Sequence, residues 1–91
     1  HMKAFYDNLK EAMASIQPEQ FILFIQQLDT LFKEASKKPD WENNNDVKNA
    51  IDQDIDDLLW TLEKEHGASF ESYDVIIHQA RSIGINNYAK R

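Results

Sequence analysis

The stretch Asp40–Leu62 reads DWENNNDVKNAIDQDIDDLLWTL. Val47, Ile51, Ile55, Leu58 and Leu62 follow at steps of four, four, three and four, with Ala50 and Leu59 widening the stripe. That period predicts a long helix with one apolar face. The Asp-Trp pair and the run Asn43-Asn44-Asn45 before it are poor helix material. They predict a turn, with Asn45 or Asp46 as the helix cap. Asp40 is a candidate cap for whatever follows it. His66-Gly67 predicts the stop, with Gly67 in the left-handed conformation that ends many helices.

Outward from this element the chain shows three more helical stretches. Lys3–Ser15 places Phe5, Leu9, Ala12, Met13 and Ile16 on one face, with Tyr6 beside it. Gln17-Pro18 ends that helix, because a proline disfavours helical geometry at the residue before it. Pro18 itself suits a first helical position, so a second helix is expected over Pro18–Ser36. Its stripe is Phe21, Phe24, Ile25, Leu28, Leu31, Phe32 and Ala35. Ile22 and Leu23 carry apolar surface around to other sides, which marks either a central helix or a surface that a partner covers. Lys37-Lys38-Pro39 ends it, with lysines where the helix dipole favours cations. A fourth helix is expected over Phe70–Ile83, capped by Ser69, with Gly84 as its stop and Ile85–Tyr88 as one further packed turn. Four helices with short connections predict an all-α fold, a small antiparallel four-helix bundle.

Composition bounds the class. Ninety-one residues with two Gly, two Pro and 42% hydrophobic content suit one ordered domain. A chain of this length buries roughly 60–65% of its unfolded surface. No cysteine is present, so disulfides and thiolate metal sites are excluded. The longest purely apolar run, Phe21–Ile25, is far short of the roughly 20 residues of a membrane span. No signal peptide is visible, and a cytoplasmic location is expected. His1-Met2 reads as a cloning scar. Residues 3–91 then form a single helical domain, expected to be the C-terminal domain of a larger chain.

The net charge is −6, and it is concentrated. Between residues 40 and 65, nine Asp and Glu face only Lys48 and Lys64, a local balance of −7. Such a ridge repels phosphate, so direct nucleic-acid binding is not expected, and a basic patch on a protein partner is the natural complement. Asp52, Asp54, Asp56 and Glu63 fall at positions 1, 3, 5 and 12 of a calcium-loop pattern. The pattern needs Gly at position 6, where Asp57 stands, and the helical period runs straight through it. His66 and His78 have no spaced companions to hold a metal. The serines have no base and orienting acid, and no nucleophile motif surrounds them. No catalytic, cofactor-binding or metal residue is therefore assigned. The candidate partner surface is Trp60, Asp52, Asp56, Glu63 and Trp41. Trp41 is expected to fold over the bundle end, and Trp60 to lie off the central stripe either as core or as an interface anchor.

The order of these features resembles the C-terminal helical region of the R subunit of type I restriction enzymes. Phe5, Tyr6 and Leu9 match its Phe-Tyr-x-x-Leu opening. Phe24–Lys38 matches an amphipathic helix with a basic end. Asp40-Trp41 matches its Asp-Trp pair, and Val47, Ile51, Ile55, Leu58 and Leu59 match the helix that follows. Val75-Ile76-Ile77-His78-Gln79-Ala80 matches a Val-Leu-x-Gln-Ala-like string in its closing helix. The likeness covers most of residues 5–80. The third helix is acidic here where that family is rich in Lys and Arg, and His66-Gly67-Ala68 stands where it carries a Tyr-Pro-Pro-like turn.

The resemblance implies a non-catalytic docking domain that holds the R subunit to the methyltransferase and specificity subunits. The parent it implies is an ATP-dependent type I site-specific deoxyribonuclease, using ATP and Mg in domains upstream. No cofactor is expected in this domain itself. The rival reading is a stand-alone acidic four-helix protein such as a bacteriocin immunity protein, for which Gly84-Ile85-Asn86 is the similar string. A DNA-mimicking inhibitor is a third, resting on the −7 stretch alone.

Overall fold

Each periodic stretch forms a helix in the computed structural model, which describes residues 2–70 and 72–89. The helices are α1 (Met2–Leu9), α2 (Pro18–Ala35), α3 (Asn45–His66) and α4 (Tyr73–Tyr88), with a 3-10 turn at Trp41–Asn43. The described residues contain no strand. The fold is an all-α antiparallel four-helix bundle. His1 of the expected scar, Glu71 of the expected fourth helix, and residues 90–91 lie outside the described residues.

Two tethers fix the antiparallel course of α1 and α4. The Phe5 ring lies 5.9 Å from Tyr88 in the last turn of α4. The Ser15 hydroxyl, at the far end, donates to the Ser69 carbonyl at 2.7 Å, just before α4. Helix α3 runs antiparallel to α4 in the same way, because Asp52 meets Arg81 while Glu63 meets Tyr73. Sequential helices pack together, α1 closes on α4, and α2 also reaches across the core to α4.

The helix ends follow local chemistry, with several corrections. Helix α1 stops at Leu9 rather than Ser15, and residues 10–15 continue as turns. Their backbone bonds mix the helical Met13 N–H to Leu9 carbonyl with the tighter Ala14 to Glu11 and Ile16 to Met13. Met13 keeps the stripe register and is buried, but Ala12 is exposed, not on the core face. Nothing in the helix propensity of Glu11-Ala12-Met13-Ala14 accounts for the break; it coincides with the Ser15–Ser69 tether.

The cap of α3 is Asn44, one residue before the expected position. Its side chain accepts from Asp46 N–H at 2.9 Å and Val47 N–H at 3.3 Å, which satisfies two of the orphan donors at a helix start. Asp40 caps nothing. It sits at φ 56°, and its carboxylate accepts from the Asn43 side chain. Gly67 ends α3 at φ 69°, as its sequence position indicates.

Helix α4 starts at Tyr73, capped by Ser72 rather than Ser69. It then runs straight through Gly84 to Tyr88. Gly84 is not a stop. A Cβ there would fall inside the van der Waals envelope of the Phe32 ring. Glycine is required because α2 and α4 meet at that point, not because the chain must turn.

That contact sits in an aromatic cluster. Phe32 is fully buried, with Phe5, Tyr88 and Trp41 at ring separations of 5.7, 5.6 and 6.1 Å. Offset and edge-on pairs at such distances each add about 0.5–1.5 kcal/mol beyond area burial. Leu9, Met13, Leu28, Ile55 and Leu59 complete the interior.

Candidate protein-docking surfaces

Helix α3 sorts its acidic side chains onto different flanks. Asp52, Asp56 and Glu63 are spaced by four and seven, so they share one flank. That flank is the seam with α4, not the open face, and all three are half-buried. Arg81 of α4 donates to Asp52 Oδ2 at 2.7 Å, with the two side chains 27% and 32% exposed. Asp52 Oδ1 is buried with no hydrogen-bond partner among the described residues. The Tyr73 hydroxyl donates to the Glu63 carboxylate. Burial first, then that bond and the charges of Glu63 and Asp56, push its pKa up to about 12. Three of the nine acidic side chains of the expected ridge thus lie in a helix–helix seam, where Asp52 and Glu63 meet Arg81 and Tyr73 of α4.

The tryptophans separate cleanly. Trp41 is 2% exposed, packed edge-on against Phe32. It folds over the bundle end as expected, but it presents no surface to a partner, and its place in the candidate partner surface is corrected. Trp60 is 55% exposed, with Lys64 Nζ lying 5.3 Å from its ring centroid. Of the five sequence candidates, Trp60 alone stands open to solvent.

Further apolar surface lies on α1 and α2. Ile22 and Leu23 are about half exposed, as are Met2 and Tyr6. Met2, Tyr6, Ile22 and Ile25 line a cleft of about 380 Å³ between these helices, with Lys3 and Asp7 at its edge. The sequence marked Ile22 and Leu23 as apolar surface in excess of one stripe, but it held no signal that Met2 and Tyr6 would lie beside Ile22.

A larger groove, about 610 Å³, runs between α2 and α3. Leu31, Ala35, Ala50 and Leu58 line it with apolar atoms. Glu34, Asp54, Asp57 and Lys38 supply its charges. Sequence reading placed Asp54 and Asp57 in the acidic stretch but missed this groove. The signal was present in the helical spacing: Asp54 and Leu58 are four apart, on the flank of α3 opposite Asp52 and Asp56.

Among the described residues, no group of three or more His, Cys, Asp or Glu is placed to hold a metal ion. The calcium-like spacing is split by the helix, since Asp52 and Asp56 face α4 while Asp54 faces α2. His66 and His78 are exposed. No helix of the described residues is long and apolar enough to cross a membrane. Compared with models of protein families, with curated proteins and with solved structures, the chain matches none.

Proposed function

We propose that this chain is a non-catalytic helical docking domain, the C-terminal piece of a type I restriction R subunit, working in the cytoplasm. In that role it holds a nuclease and ATP-driven motor to the methyltransferase–specificity core. It contacts the core protein and leaves DNA to other domains. The observation that supports this reading is the half-exposure of Ile22, Leu23 and Tyr6 on a bundle whose core is otherwise closed, with Trp60 as a further open anchor. Clustered large apolar side chains left outside a small domain mark a surface that another protein covers.

The test is co-purification with a tagged methyltransferase–specificity complex from the same organism. The chain should be retained, and an Ile22→Asp/Leu23→Asp variant should not. Failure to retain the wild type, or equal retention of the variant, overturns the reading. The rival, an immunity-type bundle, draws its support from the net charge of −6. It predicts binding to a bacteriocin and indifference to the methyltransferase core.

A further inference from the structure

The α1–α2 cleft and the α2–α3 groove differ in what they select. At the edge of the α1–α2 cleft, Lys3 and Asp7 cancel, so charge there prefers no partner. The α2–α3 groove is different. Its carboxylates stand on both banks, Glu34 from α2 and Asp54 and Asp57 from α3, and Lys38 is its one lining cation. Glu34 is already bridged to Lys37 at 3.2 Å, and Asp57 accepts from Gln53 at 3.0 Å, both at exposed positions where water competes. The bed between the banks is apolar. Leu31 and Leu58 are half-buried, and Ala35 and Ala50 are short enough to leave room above them. From Gln27 to Ala35 the bed follows α2 for about 12 Å, roughly two helical turns, and Lys38 stands just beyond the helix end.

We propose that the α2–α3 groove binds a cationic amphipathic helix of a partner protein. Its apolar stripe lies on Leu31, Ala35, Ala50 and Leu58, and its Lys or Arg side chains reach Asp54, Asp57 and Glu34. An apolar trough of helical length takes a helix laid along it, as in other groove-binding complexes. The charge of the banks sets the sign of the partner. A second copy of this chain is a poor occupant, since each copy carries −6. An anionic lipid surface is repelled for the same reason. The inference rests on the docking reading above in that both need a protein partner, but it names its own surface and is tested without the methyltransferase core.

The probe is a fluorescently labelled Leu/Lys amphipathic helix of about 18 residues, long enough to span the groove. Its control is the same peptide with Glu in place of Lys. Anisotropy titrations with the full chain should show saturable binding of the Lys peptide and none of the Glu peptide. An Asp54→Lys/Asp57→Lys variant should bind about tenfold more weakly or worse. Ala50→Trp, which fills the bed, should abolish binding, and Ile22→Ser/Leu23→Ser should leave it unchanged. Asp54, Asp57 and Ala50 are exposed, so these variants keep the fold, which circular dichroism checks. Absence of Lys-peptide binding at about 100 µM overturns the proposal. So does equal affinity for the charge-reversed and Ala50→Trp variants, or loss of binding only in Ile22→Ser/Leu23→Ser. Groove binding without capture by the methyltransferase core rejects the type I assignment and leaves the groove proposal standing.

Discussion

The Tyr88 hydroxyl donates to Asp29 Oδ1 at 2.6 Å, tying the last turn of α4 to α2. Lys33 bridges the other oxygen of the same carboxylate at 2.9 Å. Burial alone would raise the Asp29 carboxyl. The bonds from Tyr88 and Lys33, with the Lys33 charge, together hold it below its ordinary value. A hydrogen bond to a charged group contributes about 1.5–3 kcal/mol, so Tyr88→Phe should lower the unfolding free energy by that order in urea titrations. Because the folded pKa of Asp29 is depressed, its stabilisation is complete above the unfolded value of 3.8 and is lost as pH falls through the lower, folded value. Tyr88→Phe should therefore flatten the loss of stability below pH 3.8. An acid-unfolding curve with the wild-type slope in the variant would show that the bond does not tune Asp29.

Gly84 and Phe32 make a second long-range pair. A helix-interior Gly→Ala change normally gains about 1 kcal/mol from propensity. Here the added methyl meets a fully buried ring held by Phe5, Tyr88 and Trp41. Overpacking of this kind costs about 1–3 kcal/mol, so Gly84→Ala should be destabilising in thermal melts. In a Phe32→Leu background the methyl has room, and Gly84→Ala should turn neutral or stabilising. A destabilisation of equal size in both backgrounds would place the clash elsewhere.

These two pairs show where sequence reading stops. The existence of four helices was legible, because Pro18 and Gly67 have specific backbone consequences and the stripes keep a helical period. Gly84 was misread because a glycine after an apolar run has two physical meanings. It can let the chain turn left-handed, or it can let another helix come close, and only the neighbour decides. The start of α4 was ambiguous between Ser69 and Ser72, since both hydroxyls can cap. On α3, spacing already grouped Asp52, Asp56 and Glu63 on one flank. It did not say that Arg81 and Tyr73 would lie against that flank, so these three acids were taken as part of an open ridge. Trp60 was legible as lying off the stripe; its exposure depended on no other helix covering it.

The Asp52–Arg81 contact predicts an asymmetry between single and double changes. Arg81→Met leaves the half-buried Asp52 with Oδ1 already unpartnered and Oδ2 newly bare. Loss of such a partner should cost about 1–3 kcal/mol in urea titrations. The double change Asp52→Leu/Arg81→Met removes the stranded charge and should recover most of that loss. Additive costs would mean that the two side chains act independently.

Tyr73 predicts an alkaline transition. A tyrosine whose folded pKa is raised contributes stability that is complete below its unfolded value of 10.0 and is lost as pH rises through the folded value of about 12. Glu63→Gln removes the anion that opposes ionisation while leaving burial in place, so the Tyr73 midpoint should move down toward its ordinary value without reaching it. Ring-carbon chemical shifts of Tyr73, followed with pH, measure this directly. A midpoint unmoved in Glu63→Gln would assign the shift to burial and the Asp56 charge, with no part for Glu63.

The two tryptophans give a spectroscopic handle on docking. Trp41 is 2% exposed and Trp60 is 55% exposed, so their emissions should differ in wavelength and in access to quencher. Trp60→Phe should leave a blue-shifted emission that acrylamide barely quenches, from Trp41 alone. Trp41→Leu should leave a red-shifted, readily quenched emission from Trp60, and should also destabilise the bundle through the cavity beside Phe32. In the wild type, a partner that covers the outer face of α3 should lower the quenching of the red component and leave the blue component unchanged. Quenching that falls for neither component on saturation with a partner would place the docking face away from Trp60, in the α2–α3 groove or on the α1–α2 side where Ile22 and Leu23 are exposed.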